Sequence, residues 1–193
     1  YEISLGLVGS EMCIRDRIGT LTDTFVAALR EAPVVTENGV NVSVMNDEGQ
    51  GLVNTPLPAV VVHVRNSNKP TVFIRGGICD WFDVSLNVLV DFDNYSVTPD
   101  GGIQTKMRNM AYEIRRYIEK VKRGPLFSTL IDEYDFFPLY RGIETYQTAA
   151  FVGTVGKDID VFRILYQCTA LDKQSLEDEY VMFDSKQINL VRT

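Results

Sequence analysis

The single histidine, His63, stands inside Val60-Val61-Val62-His63-Val64, where strand alternation turns it away from the face of Val62 and Val64. An imidazole there has the chemistry of a general base or a metal ligand. Any Cys-His or Ser-His-Asp arrangement would rest on this residue alone, so we read His63 as a polar-face strand residue. Asp91, Asp93, Asn94 and Asp100 gather ahead of Gly101-Gly102 and offer oxygen ligands to a hard cation. Their spacing is not that of an EF-hand loop, which needs alternating acidic positions, a glycine at the sixth place and a terminal glutamate. We read them as carboxylates that solvate a turn and cap the next element. Gly76-Gly77 and Gly101-Gly102 sit at turns and build neither GxGxxG nor GxxxxGK[ST], so no nucleotide site is indicated.

Asp100 with the later Asp184-Ser185-Lys186 has residue types with which two carboxylates hold magnesium and a lysine assists an attacking water. Their long separation leaves metal-dependent phosphodiester hydrolysis by turn carboxylates as the enzymatic alternative. No catalytic residue, metal ligand or cofactor is assigned. A second kind of chemistry is electrostatic. The segment from Lys106 to Arg123 carries Lys106, Arg108, Arg115, Arg116, Lys120, Lys122 and Arg123 against Glu113 and Glu119. Such a face is an ordinary solvated helix surface with i,i+4 pairs such as Arg115 with Glu119, a DNA contact, or a contact with an acidic patch of another subunit. Among the functional readings a subunit contact is favoured, because Tyr112 is the only aromatic candidate for base stacking.

The elements that must position these residues follow from hydrophobic periodicity. Leu21, Phe25, Ala28 and Leu29 predict a short amphipathic helix capped by Thr20 or Thr22 and ended by Pro33. Val40, Val42 and Val44 alternate as a half-buried strand does, and Asp47 to Gly51 turns the chain. Ala59 to Arg65 and Thr71 to Arg75 predict a hairpin. Val84, Leu86, Val88, Val90 and Phe92 face one way in a long strand, with Asp83, Ser85, Asn87 and Asp91 facing the other. Met107, Met110, Ala111, Ile114, Tyr117, Ile118 and Val121 predict the helix that covers this sheet, with Thr105 as N-cap and Gly124-Pro125 as a stop that uses a left-handed glycine. Leu126 to Phe137 is apolar on a broken helical period and is left open between short helix and irregular chain. Thr145 to Val152 and Ile159 to Ala170 predict a hairpin around Gly153 to Asp158, and within the charged end only Tyr180 to Phe183 has strand character. The expected fold is α+β, a mostly antiparallel sheet covered on one face by a long amphipathic helix, with an N-terminal helix and a C-terminal hairpin.

The start of the chain has a different character. Leu7-Val8-Gly9-Ser10-Glu11-Met12-Cys13-Ile14-Arg15-Asp16 is the in-frame translation of CTCGTGGGCTCGGAGATGTGTATAAGAGAC, which resembles a sequencing-library adapter, and Tyr1-Glu2-Ile3 fits the adjoining TACGAGAT. Residues 1–17 are therefore read as a non-native adapter-derived segment and excluded from fold reasoning. The frame then comes from assembled environmental DNA. Residues 18–172 are expected to form a single domain and residues 173–193 an acidic C-terminal tail. The full chain has a net charge of −7, and without the adapter-like segment it stays acidic, which opposes general nucleic-acid binding. Cys79 and Cys168 lack CxxC spacing and read as small buried apolar residues. No apolar run approaches the ~20 residues of a membrane span, so the protein reads as soluble and intracellular.

The element order resembles the small α+β proteins of tailed-bacteriophage necks, the tail terminator and head-tail joining family. The segments that carry the likeness are Val84 to Phe92, Lys106 to Ile118 and Asp158 to Tyr166, within a span from Leu21 to Asp172. The chain departs from the family's compact members in the loop from Asp47 to Pro58 and in its acidic tail. The resemblance implies a structural virion protein, not an enzyme, whose copies close a homo-oligomeric ring that terminates the tail tube and joins it to the head connector. It implies localisation to the virion, and to the host cytoplasm during assembly, with DNA passing the lumen without specific binding. Ring closure needs two different patches per subunit. Arg108, Arg115, Arg116 and Lys120 on the second helix, with Glu177, Asp178 and Glu179 in the tail, are the candidate interface residues. A monomeric binding module is the remaining alternative.

Overall fold

The computed structural model describes residues 4–45, 56–67, 69, 72–74, 77–90, 102–134, 136–152 and 155–172. The fold is α+β. Helix α1 spans Ser4–Glu31 and the short α2 spans Pro33–Glu37; strands β1 (Asn41–Val44), β2 (Ala59–Asn66), β3 (Val72–Ile74) and β4 (Gly77–Val90) follow. Helix α3 (Gly102–Val121), a 3-10 turn over Pro125–Phe127 and α4 (Ser128–Tyr134) then lead to β5 (Phe137–Val152) and β6 (Val155–Asp172). The strands form one sheet in the order β1-β2-β4-β6-β5, with β3 paired to β4. Only β1 and β2 run parallel; every other described pair is antiparallel.

The helices cover one face of the sheet. Phe82, Val84, Leu86 and Val88 of β4 and Ile164, Tyr166 and Cys168 of β6 are fully buried beneath them. From α3 come Met107, Ala111, Ile114 and Ile118, spaced by three and four so that one stripe meets the sheet. From α1 come Leu21, Phe25, Ala28 and Leu29 on the same logic. Phe25 is the hinge of this packing: its ring meets Phe127 edge-on at 5.4 Å and Tyr166 at 5.8 Å, and Tyr166 in turn meets Tyr140 at 5.9 Å. Edge-to-face contacts of this kind add to the burial of the rings themselves.

Several local expectations are corrected. Helix α1 runs straight through Thr20 and Thr22, which are therefore not caps: the Thr22 hydroxyl donates back to the Ile18 carbonyl at 2.7 Å and the Thr24 hydroxyl to that of Thr20 at 2.8 Å. Pro33 does end α1, because it forces Ala32 into extended geometry (φ −67°, ψ 122°), but it also opens α2 from its first position. That helix closes on Gly39 at φ 59°, with Val40 N–H donating to Val35 and Gly39 N–H to Thr36. This paired closure needs a left-handed residue and launches β1.

Strands β2 and β3 are not hairpin partners. Both pair with β4, β2 along Phe82–Leu89 and β3 along Gly77–Cys79, so they lie end to end on one edge of a strand longer than predicted. Gly77 is the first residue of β4 and faces Ile74 across a two-residue link, and Gly76 lies outside the described residues. Helix α3 begins at Gly102, which puts Thr105 inside it instead of at its cap. Its stop works differently from expectation: Gly124 is extended (φ −95°), and its small size matters because a Cβ would sit 3.1 Å from the Val121 carbonyl oxygen. The open segment resolves into the 3-10 turn and α4. In the last hairpin Val152 already faces Val155, so the link is two residues rather than five or six. Strand β5 begins at Phe137 and tolerates Pro138 because it pairs with β6 alone, which leaves a backbone position needing no N–H donor. The turn from Asp47 to Gly51, the positions of Asp91 and Phe92 and the 173–193 tail lie outside the described residues.

Helix α1 crosses the boundary drawn at residue 17. The adapter correspondence ends at Asp16, and Arg17 is buried, with its guanidinium donating to the Asp80 carboxylate at 2.9 Å. Two measurements check this packing. Phe25→Ala should lower the unfolding free energy by about 3–5 kcal/mol, since it opens a cavity beside the rings of Phe127 and Tyr166, whereas Asn109→Ala at an exposed position of α3 should stay within about 0.5 kcal/mol in the same urea titration. Arg17→Ala should cost about 1.5–3 kcal/mol by removing a charge-assisted hydrogen bond to Asp80; an unchanged urea midpoint would show that the pair is not made.

Candidate functional site

The basic residues of α3 do not form one face. Arg115 turns inward, its guanidinium lying 4.1 Å from the Tyr140 ring centroid, so the anticipated pair with Glu119 is not made. Glu119 instead accepts from Lys122 at 2.7 Å, and the Lys122 ammonium, which is buried, also donates to the Pro138 carbonyl at 3.3 Å. This ties the end of α3 to β5. The cation also lies at the helix C-terminus, where the backbone dipole favours it. Among the described side chains, a stripe of Arg108, Tyr112, Arg116 and Lys120 remains in solvent, with Arg123 beyond it; the side chain of Lys106 lies outside the described set. Successive members of the stripe are four residues apart and therefore stack along one ridge. Tyr112 is 48% exposed, and Arg116 is held loosely by Glu113 at 3.8 Å with both side chains largely in water. Of the candidate interface residues, Arg108, Arg116 and Lys120 share this ridge and Arg115 does not. Glu177, Asp178 and Glu179 lie outside the described residues.

The sheet face away from the helices holds a polar network that strand alternation alone presents as solvated. Asn87 is fully buried there. Its amide donates to the Val61 carbonyl at 3.1 Å, while its oxygen accepts from Arg163 Nε at 3.0 Å and from the Tyr146 hydroxyl at 3.2 Å. Arg163 also donates to the Tyr146 hydroxyl at 2.8 Å. Each polar group in this set has a partner, as burial demands. Beside it Val61, Leu89 and Val161 are buried, with Met45, Leu57 and Tyr146 packed against them. Nearer the other end of the face, Lys69 donates to Gln167 at 2.6 Å and lies 4.6 Å from the Trp81 ring centroid, and Gln167 donates to Asp83 at 3.4 Å. The legible signal was the unbroken apolar runs Val60-Val61-Val62 and Val88-Leu89-Val90: residues of both phases are apolar, which marks a strand stretch buried on both faces.

His63 is half-buried on this same face, opposite Ser85 in register. Cys79 and Cys168 are free and buried, as read. Burial pushes both thiols above their usual range, with the Asp80 carboxylate adding to the shift at Cys79 and the Asp83 carboxylate at Cys168. Low-pKa nucleophiles are the opposite case. Asp91, Asp93, Asn94, Asp100 and Asp184 to Lys186 lie outside the described residues, and among the described ones no three His, Cys, Asp or Glu side chains gather as a metal site would require. Burial also raises the Tyr166 hydroxyl, with the Glu119 carboxylate adding to the effect; that hydroxyl and one Glu119 oxygen are buried without hydrogen-bond partners among the described residues. The described residues thus present packed surfaces and one basic ridge. No protein-family model matches the chain, and no curated protein matches it.

Tyr166→Phe removes a buried hydroxyl with nothing to bond, so the variant should gain about 1 kcal/mol in urea unfolding; a loss of that size would mean the hydroxyl is satisfied. The raised thiols fix a pH dependence. Cys168 ionises at its ordinary 9.0 in the unfolded chain but resists ionisation when folded, so its contribution is complete below 9.0 and is lost as pH climbs from there toward the raised value. The urea midpoint should fall between pH 9 and 10, and Cys168→Ala should flatten that decline.

Proposed function

We propose that the protein is a self-assembling structural component of a tailed-phage virion, a ring at the neck that terminates the tail tube and joins it to the head connector. The observation that carries the reading is the exposed ridge Arg108-Tyr112-Arg116-Lys120 on a chain whose net charge is −7. A basic ridge on an acidic protein finds its complement on the surface of an identical copy, and head-to-tail contacts between unlike patches are what a closed ring requires. Tyr112 supplies an aromatic anchor amid the charges, the pairing of residue types that dominates binding energy at interfaces. Glu177, Asp178 and Glu179 are the acidic partner segment in this reading. The element order that resembles neck proteins, with α3 laid across a largely antiparallel sheet, supports the same assignment. So does the acidic balance, which lets DNA traverse the lumen without being held. No helix among the described residues is long and apolar enough to cross a membrane.

The enzymatic alternative, metal-dependent phosphodiester hydrolysis, rests on Asp91, Asp93 and Asp100, and no described geometry favours it. Purified protein should sediment as one discrete oligomer and appear as rings in electron micrographs. Arg116→Glu with Lys120→Glu should shift at least tenfold more protein into the monomer at equal concentration, and raising salt toward 1 M should weaken the wild-type assembly, because screening then acts over about 3 Å. A monomer at every concentration would instead favour a lone binding module, and magnesium-dependent cleavage of a phosphodiester would favour the hydrolase.

A further inference from the structure

Of the chain's asparagines only Asn38 is followed by glycine. The step Asn38-Gly39 closes α2 and leads toward β1, and both residues are exposed. An asparagine is chemically labile when the next peptide nitrogen can reach its side-chain carbonyl carbon and close a five-membered ring. A following side chain ordinarily crowds that nitrogen. Gly39 has none, and a Cβ built on it would meet nothing within 4 Å, so the approach is open on that side.

The closed cap of α2 opposes the reaction. Asn38 Nδ2 donates to the Val34 carbonyl at 2.7 Å, Gly39 N–H to that of Thr36 at 3.3 Å and Val40 N–H to that of Val35 at 2.9 Å. Asn38 lies at φ −96° and ψ 6°, which aims the Gly39 nitrogen away from the Asn38 side chain. Ring closure therefore needs a large turn about the Asn38 Cα–C bond, and that turn swings Gly39 N–H off Thr36. The bond to be broken is the weakest of the three, since 3.3 Å exceeds the usual ~2.9–3.0 Å.

We infer that Asn38 is a site of spontaneous deamidation, gated by opening of the α2 cap, and that its conversion loosens β1. Hydroxide takes the Gly39 amide proton and the nitrogen attacks Asn38 Cγ. As the N–Cγ bond forms, the Cγ–Nδ2 bond breaks and the amide nitrogen leaves as ammonia with a proton from water. Water then opens the cyclic imide at one of its two carbonyls, leaving aspartate or isoaspartate, with nothing oxidised or reduced. Aspartate replaces a donor to the Val34 carbonyl by an acceptor. Isoaspartate lengthens the main chain by a methylene, so Gly39 and Val40 lose their register with Thr36 and Val35. The disturbance lies just ahead of Asn41, whose N–H on the Pro58 carbonyl and Nδ2 on the Pro56 carbonyl, both at 2.9 Å, anchor the start of β1.

The test holds the full chain in warm, mildly alkaline buffer, native or in concentrated urea, and maps it by mass spectrometry with fragmentation that separates isoaspartate from aspartate. The amide-to-acid mass gain should accumulate at Asn38 before any other asparagine, and about tenfold more slowly in the native protein than in urea. Conversion no faster at Asn38 than at Asn109, which is also exposed but followed by Met110, would overturn the site. Equal rates in native protein and in urea would overturn the gate. Val35→Ala loosens α2, because Val35 is buried in the core, and should speed native conversion several-fold with the urea rate unchanged; an unchanged native rate would again overturn the gate. Should this variant fail to fold by circular dichroism, wild type in urea below its unfolding midpoint decides, since a gated site converts faster with each increment and an ungated one does not. Converted protein, separated by its added negative charge, should lose amide protection from Asn41 to Val44, and protection equal to that of the unconverted protein would overturn the effect on β1.

Discussion

The structure depends on burial of one face of the β4–β6 pair. These two strands match over the whole length from Ile78 to Val90, and their inward residues Val84, Leu86, Val88, Ile164 and Tyr166 have essentially no contact with water. Each such side chain contributes on the order of 1.5–3 kcal/mol of transfer free energy. No strand pair can hide that surface alone, so α1 and α3 must lie across it, and the remaining strands extend the platform outward on both sides. Phe25 couples the layers because its ring reaches both Phe127 beyond α3 and Tyr166 on the sheet.

That demand decides which charges of α3 stay available. A helix that commits Met107, Ala111, Ile114 and Ile118 to the core has flanks as well as an outer side. Lys122 and Arg115 fall where β5 passes, and each finds a better place there than in water: a carboxylate and a carbonyl for one, the face of Tyr140 for the other. Arg108, Arg116 and Lys120 meet no residue of β5 among the described residues, Arg116 touching only Glu113 of its own helix, and line the outer ridge. A count of basic residues in the sequence thus overstates the surface charge of this helix and misses its order.

Long periodic segments were legible. The stripe from Met107 to Val121 announced α3 and the alternation from Val84 onward announced β4; the apolar phase holds at Met107, Ala111, Ile114 and Ile118 and at Val84, Leu86 and Val88. Caps and strand partners were not. Thr20, Thr22 and Thr105 are plausible caps by residue type, yet the helices continue through all three, because threonine inside a helix can return its hydroxyl to a carbonyl a turn back, as Thr22 does. Strands β2 and β3 are neighbours in sequence but share β4 as partner, since β4 is long enough to take both. Asn87 looked solvated because period-two logic sees only two faces, and cannot see that Arg163 and Tyr146, far along the chain, meet it there.

Composition and spacing by themselves determined the class of fold, the two amphipathic helices and the apolar phase of the central strands, since each depends on residues within a few turns of one another. The order β1-β2-β4-β6-β5, the parallel start at β1 and the inward recruitment of Arg115 and Lys122 were decided only when distant segments came together. Local periodicity states which side of an element must avoid water. It carries no address for the partner that removes the water, and that address is what tertiary packing supplies.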